Sequence, residues 1–80
     1  MRTIEVLGSG CPNCRRLQAN AREAVAMVGA EAEVTHVTDP REIVGRGVMS
    51  TPGLVIDGAV VSTGRIPSAA DIARWLGERG

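Results

Sequence analysis

The chain has 80 residues and a formal net charge of zero, because nine basic side chains balance nine acidic ones. A chain this short buries only about 60% of the surface that its unfolded form exposes, so we expect residues 1–80 to form a single domain with a small core, without a large composite active site. The balanced charge and a single aromatic residue, Trp75, argue against binding nucleic acid, which needs a basic face and stacking platforms. We also expect no membrane segment and a cytoplasmic location, since no apolar run has the length of a signal-peptide core or a spanning helix.

The first half of the chain predicts a strand, a helix and a second strand. Residues 3–7 are rich in β-branched side chains and end at Gly8, which is typical of a short strand. Residues 32–37 have the same character. Between them, residues 12–28 have the apolar spacing of one helical face. The side chains of that face are Leu17, Ala21, Ala24, Val25 and Val28.

The second half predicts a short helix, a hairpin and a last helix. Asp39 is a candidate N-cap, and Pro40 suits the first helical position of a helix that ends near Gly45 or Gly47. Residues 54–56 and 59–63 flank Asp57-Gly58, a strong signal for a tight hairpin turn. Ser68 is the N-cap expected for the last helix, whose inner face would carry Ile72, Ala73 and Leu76.

The order of these elements is β-α-β-α-β-β-α. A strand, a crossover helix and a strand favour parallel pairing through a right-handed connection, whereas a hairpin adds two antiparallel strands. The fold class predicted is therefore α/β, with a four-stranded mixed sheet and flanking helices.

The two cysteines form a single C-x-x-C motif, Cys11-Pro12-Asn13-Cys14, between the first strand and the first helix. A helix N-terminus presents unpaired N–H groups that favour a thiolate, the nucleophile of disulfide exchange. Pro12 is compatible with that position because its missing N–H would be unpaired anyway. Cys14 lies three residues before Leu17, so we expect Cys14 to face the core and Cys11 to face solvent.

Two other side chains, His36 and Glu5, have functional groups that could bind a metal or exchange a proton, but a structural role is favoured for both. Zinc would require about four ligands, and His36 is the only histidine, so we interpret His36 as a core or surface residue of the second strand. Glu5, on the first strand, is interpreted as an edge or surface glutamate.

Taken together, these motifs resemble the thioredoxin superfamily, and most closely its small single-domain "redox-active disulfide protein" branch. The resemblance depends on the segment GSGCPNC at 8–14, on Thr51-Pro52 before the hairpin, on PGLVIDG at 52–58 and on the late Gly64-Arg65. It covers essentially the whole chain.

The resemblance implies a minimal thioredoxin-like fold and assigns roles to particular residues. Cys11 would attack a substrate disulfide and Cys14 would resolve the mixed disulfide, with Pro12 and Asn13 supporting the pair. Pro52 would form a cis peptide bond facing the cysteines, and the backbone of Thr51 would pair with an extended substrate segment.

The resemblance also implies a role for Glu5, which lies six residues before Cys11, at the spacing of the buried acid of ordinary thioredoxins. Such an acid could exchange a proton with Cys14, but an edge or surface glutamate is the favoured interpretation.

The function expected is therefore that of a thioredoxin-like protein thiol–disulfide oxidoreductase without a bound cofactor, whose partners are protein disulfides and an upstream donor like thioredoxin reductase. A glutathione-linked, glutaredoxin-like reductase stays open, since Cys-Pro-x-Cys and Thr-Pro are similar to glutaredoxin and Arg65 could bind a carboxylate. A soft-metal-binding module is the alternative from a different class, because two thiolates suit ions such as Cu(I).

Overall fold

A computed structural model describes residues 2–8 and 12–79, which adopt the α/β fold that the sequence predicts. Each of the four strands begins and ends within one residue of the position predicted from the sequence. The elements are β1 (Arg2–Leu7), α1 (Pro12–Val28), β2 (Ala32–Val37), α2 (Pro40–Gly45), β3 (Gly53–Ile56), β4 (Ala59–Thr63) and α3 (Ala69–Arg79).

The four strands form one mixed sheet in the order β2-β1-β3-β4. β1 pairs with β2 in parallel, while β3 is antiparallel to both β1 and β4. Leu7, the last residue of β1, lies opposite Val37 of β2 and Gly53 of β3. This register brings the carboxyl ends of β1 and β2 to the start of β3, which is the edge of the sheet where α1 begins.

The two faces of the sheet hold separate apolar clusters, because successive side chains of a strand point to opposite faces. On one face, Ile4 and Val6 of β1 pack with the inner sides of α1 and α3. On the other face, Leu7 packs with Ile43 of α2 and with Val48. Successive side chains of β1 therefore point alternately to the large cluster, which α1 and α3 cover, and to the side of the small cluster, which α2 covers.

Local signals in the sequence fix several of the element boundaries. The Asp39 carboxylate accepts a hydrogen bond from the Arg41 N–H at 2.9 Å, and the Ser68 hydroxyl accepts one from the Asp71 N–H at 3.1 Å. Both are the N-caps expected from the sequence. Asp57 and Gly58 have φ values of 50° and 83°, as a two-residue turn of the hairpin type requires.

The apolar face predicted for α1 is wrong at its last position, where Val28 is 43% exposed. A helix of 17 residues spans about 26 Å, whereas a strand of six residues spans about 20 Å, so the carboxyl end of α1 overhangs the sheet. Leu17, Ala21 and Ala24 are fully buried as predicted.

Candidate active site

Cys14, in the first turn of α1, is fully buried. It lies on the same helical face as Leu17, three residues farther along, and this face packs against the sheet. The expectation that Cys14 faces the core is confirmed. Cys11 lies outside the described residues, as do Ser9 and Gly10, so its predicted exposure stays a prediction.

The backbone of Gly8 lies against the Cys14 side chain. A methyl group placed on the Gly8 Cα would overlap the Cys14 Sγ, and the same position lies 3.8 Å from the Thr51 Cβ. Only a residue without a side chain therefore fits at position 8. The structure brings the Cys14 sulfur and Thr51 together on the side of Gly8 where a side chain would stand.

The Thr51–Pro52 peptide bond is cis, as the family resemblance implies. Pro52 is buried, whereas Thr51 is exposed. The Pro52 carbonyl accepts a hydrogen bond from the Gly64 N–H at 2.9 Å, which attaches this loop to the end of β4. The exposed residue of the pair thus lies next to Gly8 and Cys14, while the proline is held inside the fold.

The exposed side of the first turns of α1 is neutral or basic. Pro12, Asn13, Arg15 and Arg16 are exposed there, and the first turn contains no acidic residue. Unpaired N–H groups and the absence of carboxylates both favour negative charge at this end of a helix. The residue that precedes α1 in the sequence is Cys11.

His36 makes a contact with the site that the sequence interpretation missed. Its Nε2 lies 3.1 Å from the Gly8 carbonyl oxygen. A carbonyl oxygen accepts and cannot donate, so Nε2 carries the hydrogen of this bond. The side chain is half-buried on β2, opposite Val6 of β1, on the face that α1 covers. Knowing the strand register would have identified this contact, but the sequence alone does not specify it.

Glu5 is neither a surface residue nor a partner of Cys14. Both of its carboxylate oxygens accept hydrogen bonds from the Arg46 guanidinium, at 2.9 and 2.8 Å. These bonds lower the pKa of Glu5 below its ordinary value of 4.5, against a smaller opposing effect of burial. Glu5 alternates with Ile4 and Val6, so it points to the α2 side of the sheet, opposite the side that holds Cys14. The hypothesis that it exchanges a proton with Cys14 has no geometric support.

Arg65, the candidate carboxylate-binding residue, is exposed in the segment between β4 and α3. It lines an open groove of about 620 Å³ between β4 and α3, with Asp71 and Trp75 on the helical side. No group of three or more histidine, cysteine or acidic side chains within residues 2–8 and 12–79 is arranged to hold a metal ion.

Comparison with known proteins places this chain in a family. The family model for the thioredoxin domain matches residues 2–77. A thioredoxin from Methanothermobacter thermautotrophicus is 38% identical over 76 residues, which cover 95% of this chain and 99% of that protein. A thioredoxin from Methanocaldococcus jannaschii is 40% identical over 76 residues, which cover 95% of this chain and 87% of that protein.

The fold and these relatives thus support a thioredoxin-like thiol–disulfide oxidoreductase in general terms. The chain belongs to the thioredoxin family. Across the described residues, no helix is both long enough and apolar enough to span a membrane.

Proposed function

We propose that this protein exchanges a Cys11–Cys14 dithiol/disulfide couple with the disulfides of other proteins. The observation that carries the proposal is the position of Cys14, which is buried at the start of α1, packed against Gly8 and next to exposed Thr51. A shielded sulfur beside an exposed backbone segment suits a resolving cysteine, which must react with its neighbour in the sequence motif rather than with solvent.

The exchange proceeds in two displacements. The Cys11 thiolate attacks one sulfur of the substrate disulfide, a mixed disulfide forms, and one substrate thiolate leaves. The Cys14 thiolate then attacks the Cys11 sulfur, the mixed disulfide breaks, and the second substrate thiolate leaves. Two electrons pass to the substrate, and a Cys11–Cys14 disulfide remains. The basic first turns of α1 support thiolate formation in the segment that leads into the helix.

The loop before β3 supports recognition of an extended substrate segment. Thr51 is exposed in the loop before β3. The next residue, Pro52, attaches this loop to the end of β4, because its carbonyl accepts a hydrogen bond from the Gly64 N–H. The backbone groups of Thr51 would pair with a substrate strand beside the scissile disulfide, which is the mode of recognition by strand addition. Pro12 and Asn13, both exposed, would border the same segment.

Turnover requires a second partner and no bound cofactor. The Cys11–Cys14 disulfide must be reduced by a dithiol donor, for which an upstream enzyme like thioredoxin reductase is the proposed source. Glutathione would be the donor in the glutaredoxin-like alternative. The two donors are distinguished by which of them restores the free thiols of the oxidised protein.

The decisive experiment compares the two single cysteine variants. Cys14→Ser should accumulate a mixed disulfide with a model protein disulfide such as insulin, because the second displacement is removed. Cys11→Ser should accumulate little, because its remaining sulfur is the buried one. Non-reducing electrophoresis with mass spectrometry measures both adducts.

Equal trapping by the two variants would overturn the assignment of roles. Metal content, measured on the same wild-type preparation purified under reducing conditions, tests the soft-metal alternative. A stoichiometric ion whose removal by a chelator lowers the thermal midpoint would favour that alternative over disulfide exchange.

A further inference from the structure

The backbone of Gly8 is held on three sides. Its N–H donates to the Val37 carbonyl at 2.9 Å, its carbonyl accepts from His36 Nε2 at 3.1 Å, and its Cα faces the Cys14 Sγ. Gly8 is buried and follows the last residue of β1, and among the described residues no backbone N–H donates to its carbonyl. A buried carbonyl needs such a partner, and the imidazole of His36 provides it.

The geometry of this contact connects His36 to the sulfur through a single residue. His36 and Val6 are register partners, and their side chains share the face of the sheet that α1 covers. From that face, the imidazole reaches the Gly8 carbonyl, two residues beyond Val6, and so holds that carbonyl in one orientation. The same residue contributes the surface against which the Cys14 sulfur packs.

We propose that His36 is a positioning residue for Cys14, acting through the Gly8 carbonyl. The hydrogen bond keeps Gly8 against the sulfur, which shields Cys14 from external reagents and holds it in place for the second displacement. This second consequence rests on the proposed function, whereas the shielding does not. His36 neither contacts the substrate nor takes part in the bond changes.

The first test measures shielding without turnover. In a Cys11→Ser background, the rate of alkylation of Cys14 by iodoacetamide is compared for His36, His36→Leu and His36→Gln. Leucine removes the donor, and the rate should rise between about twofold and about tenfold, the ratio that corresponds to the net strength of one hydrogen bond. Glutamine retains an amide donor at the position of Nε2 and should restore the parental rate.

A matched control removes a different hydrogen bond from the same strand. The Thr35 hydroxyl donates to the Ile4 carbonyl at 3.4 Å, so Thr35→Val loosens β2 without touching Gly8. Each variant is assayed at the same interval below its own thermal midpoint. Thr35→Val should leave the alkylation rate unchanged. The proposal is overturned if His36→Leu leaves the rate unchanged, or if His36→Gln and Thr35→Val raise it as much as His36→Leu does.

The second test measures the second displacement in the protein with both cysteines. An aromatic disulfide reagent releases one coloured thiolate when it attaches to Cys11, and another when Cys14 displaces it. His36→Leu should slow the second release, opposite to its effect on alkylation, because a sulfur that has lost its fixed position meets Cys11 less often. His36→Gln should again restore the wild-type rate of the second release.

A second release from His36→Leu that is as fast as in the wild type contradicts the positioning role. If the wild type itself gives no second release, the proposed exchange fails, and the alkylation rates still decide the role of His36.

Discussion

Gly8 shows at the residue scale how the absence of a side chain can determine the architecture of a site. The position is buried among the Cys14 sulfur, the Thr51 side chain and the His36 imidazole. The φ angle of Gly8 lies outside the left-handed region, so the requirement for glycine is steric and not conformational. A side chain here would force the Cys14 sulfur to move, whereas Thr51 lies at an ordinary contact distance.

Gly8→Ala is therefore expected to destabilise the protein by about 1–3 kcal/mol, the usual cost of inserting a group into a packed interior. The matched control is Gly77→Ala on α3, where an added methyl group meets no atom within 4 Å. That variant should be more stable by about 0.5–1 kcal/mol, because alanine is the better helix former. Urea denaturation of the two variants measures both changes, and equal effects would contradict the steric explanation.

The ion pair between Glu5 and Arg46 operates at the scale of elements, since it joins the central strand β1 to the carboxyl end of α2. The Arg46 guanidinium also donates to the Glu42 carbonyl at 3.0 Å, one of the last carbonyls of α2. A single side chain thus caps the short helix and holds it on the sheet. The hydrogen bonds that Arg46 donates to Glu5 raise the pKa of Arg46 and lower that of Glu5, as expected for an ion pair.

The pH dependence of stability should reveal this link. Because the folded-state pKa of Glu5 is lowered, its contribution is fully present above the ordinary value of 4.5 and is lost as the pH falls from there through the folded-state pKa. Glu5→Gln should lower the thermal midpoint at pH 7, and the difference from the wild type should shrink towards pH 3. Glu33→Gln, at an exposed strand position, is the control. A difference between Glu5→Gln and the wild type that is independent of pH would argue against the ion pair.

At the scale of the whole molecule, Arg2 connects three parts of the chain that are far apart in sequence. Its Nε donates to the Asp57 carboxylate at 3.1 Å, and its Nη1 donates to the Leu76 carbonyl near the end of α3. Asp57 in turn accepts from the Thr3 N–H at 2.9 Å. The Nη2 of Arg2 is buried without a hydrogen-bond partner among the described residues, which offsets part of the stabilisation.

Arg2→Met should lower the free energy of unfolding by about 1 kcal/mol, since the lost charge-assisted hydrogen bonds outweigh the relief of the unpartnered nitrogen. Arg41→Met is the control, because the Arg41 side chain is 92% exposed and its contact with Asp39 is long, at 3.5 Å. It should leave stability unchanged. Chemical denaturation of both variants decides between a specific role for Arg2 and a general effect of removing positive charge.

The features that the sequence determined are those encoded over short distances. Helix spacing, the N-caps Asp39 and Ser68, and the Asp57-Gly58 turn each act within a few residues, so the order and bounds of the elements could be predicted. The C-x-x-C motif at a helix start is equally local. It identified Cys11 and Cys14 as the candidate pair and predicted the burial of Cys14.

Only the tertiary structure decided which residues lie near the buried cysteine and which side chain pairs with Glu5. His36 reaches Gly8 because β2 pairs with β1 in one particular register, and Glu5 meets Arg46 because α2 packs on one particular face of the sheet. A shift of one residue in the register would turn every side chain of a strand to the other face. Such contacts depend on strand pairing and packing across 28 and 41 residues of sequence, distances over which local patterns carry no information.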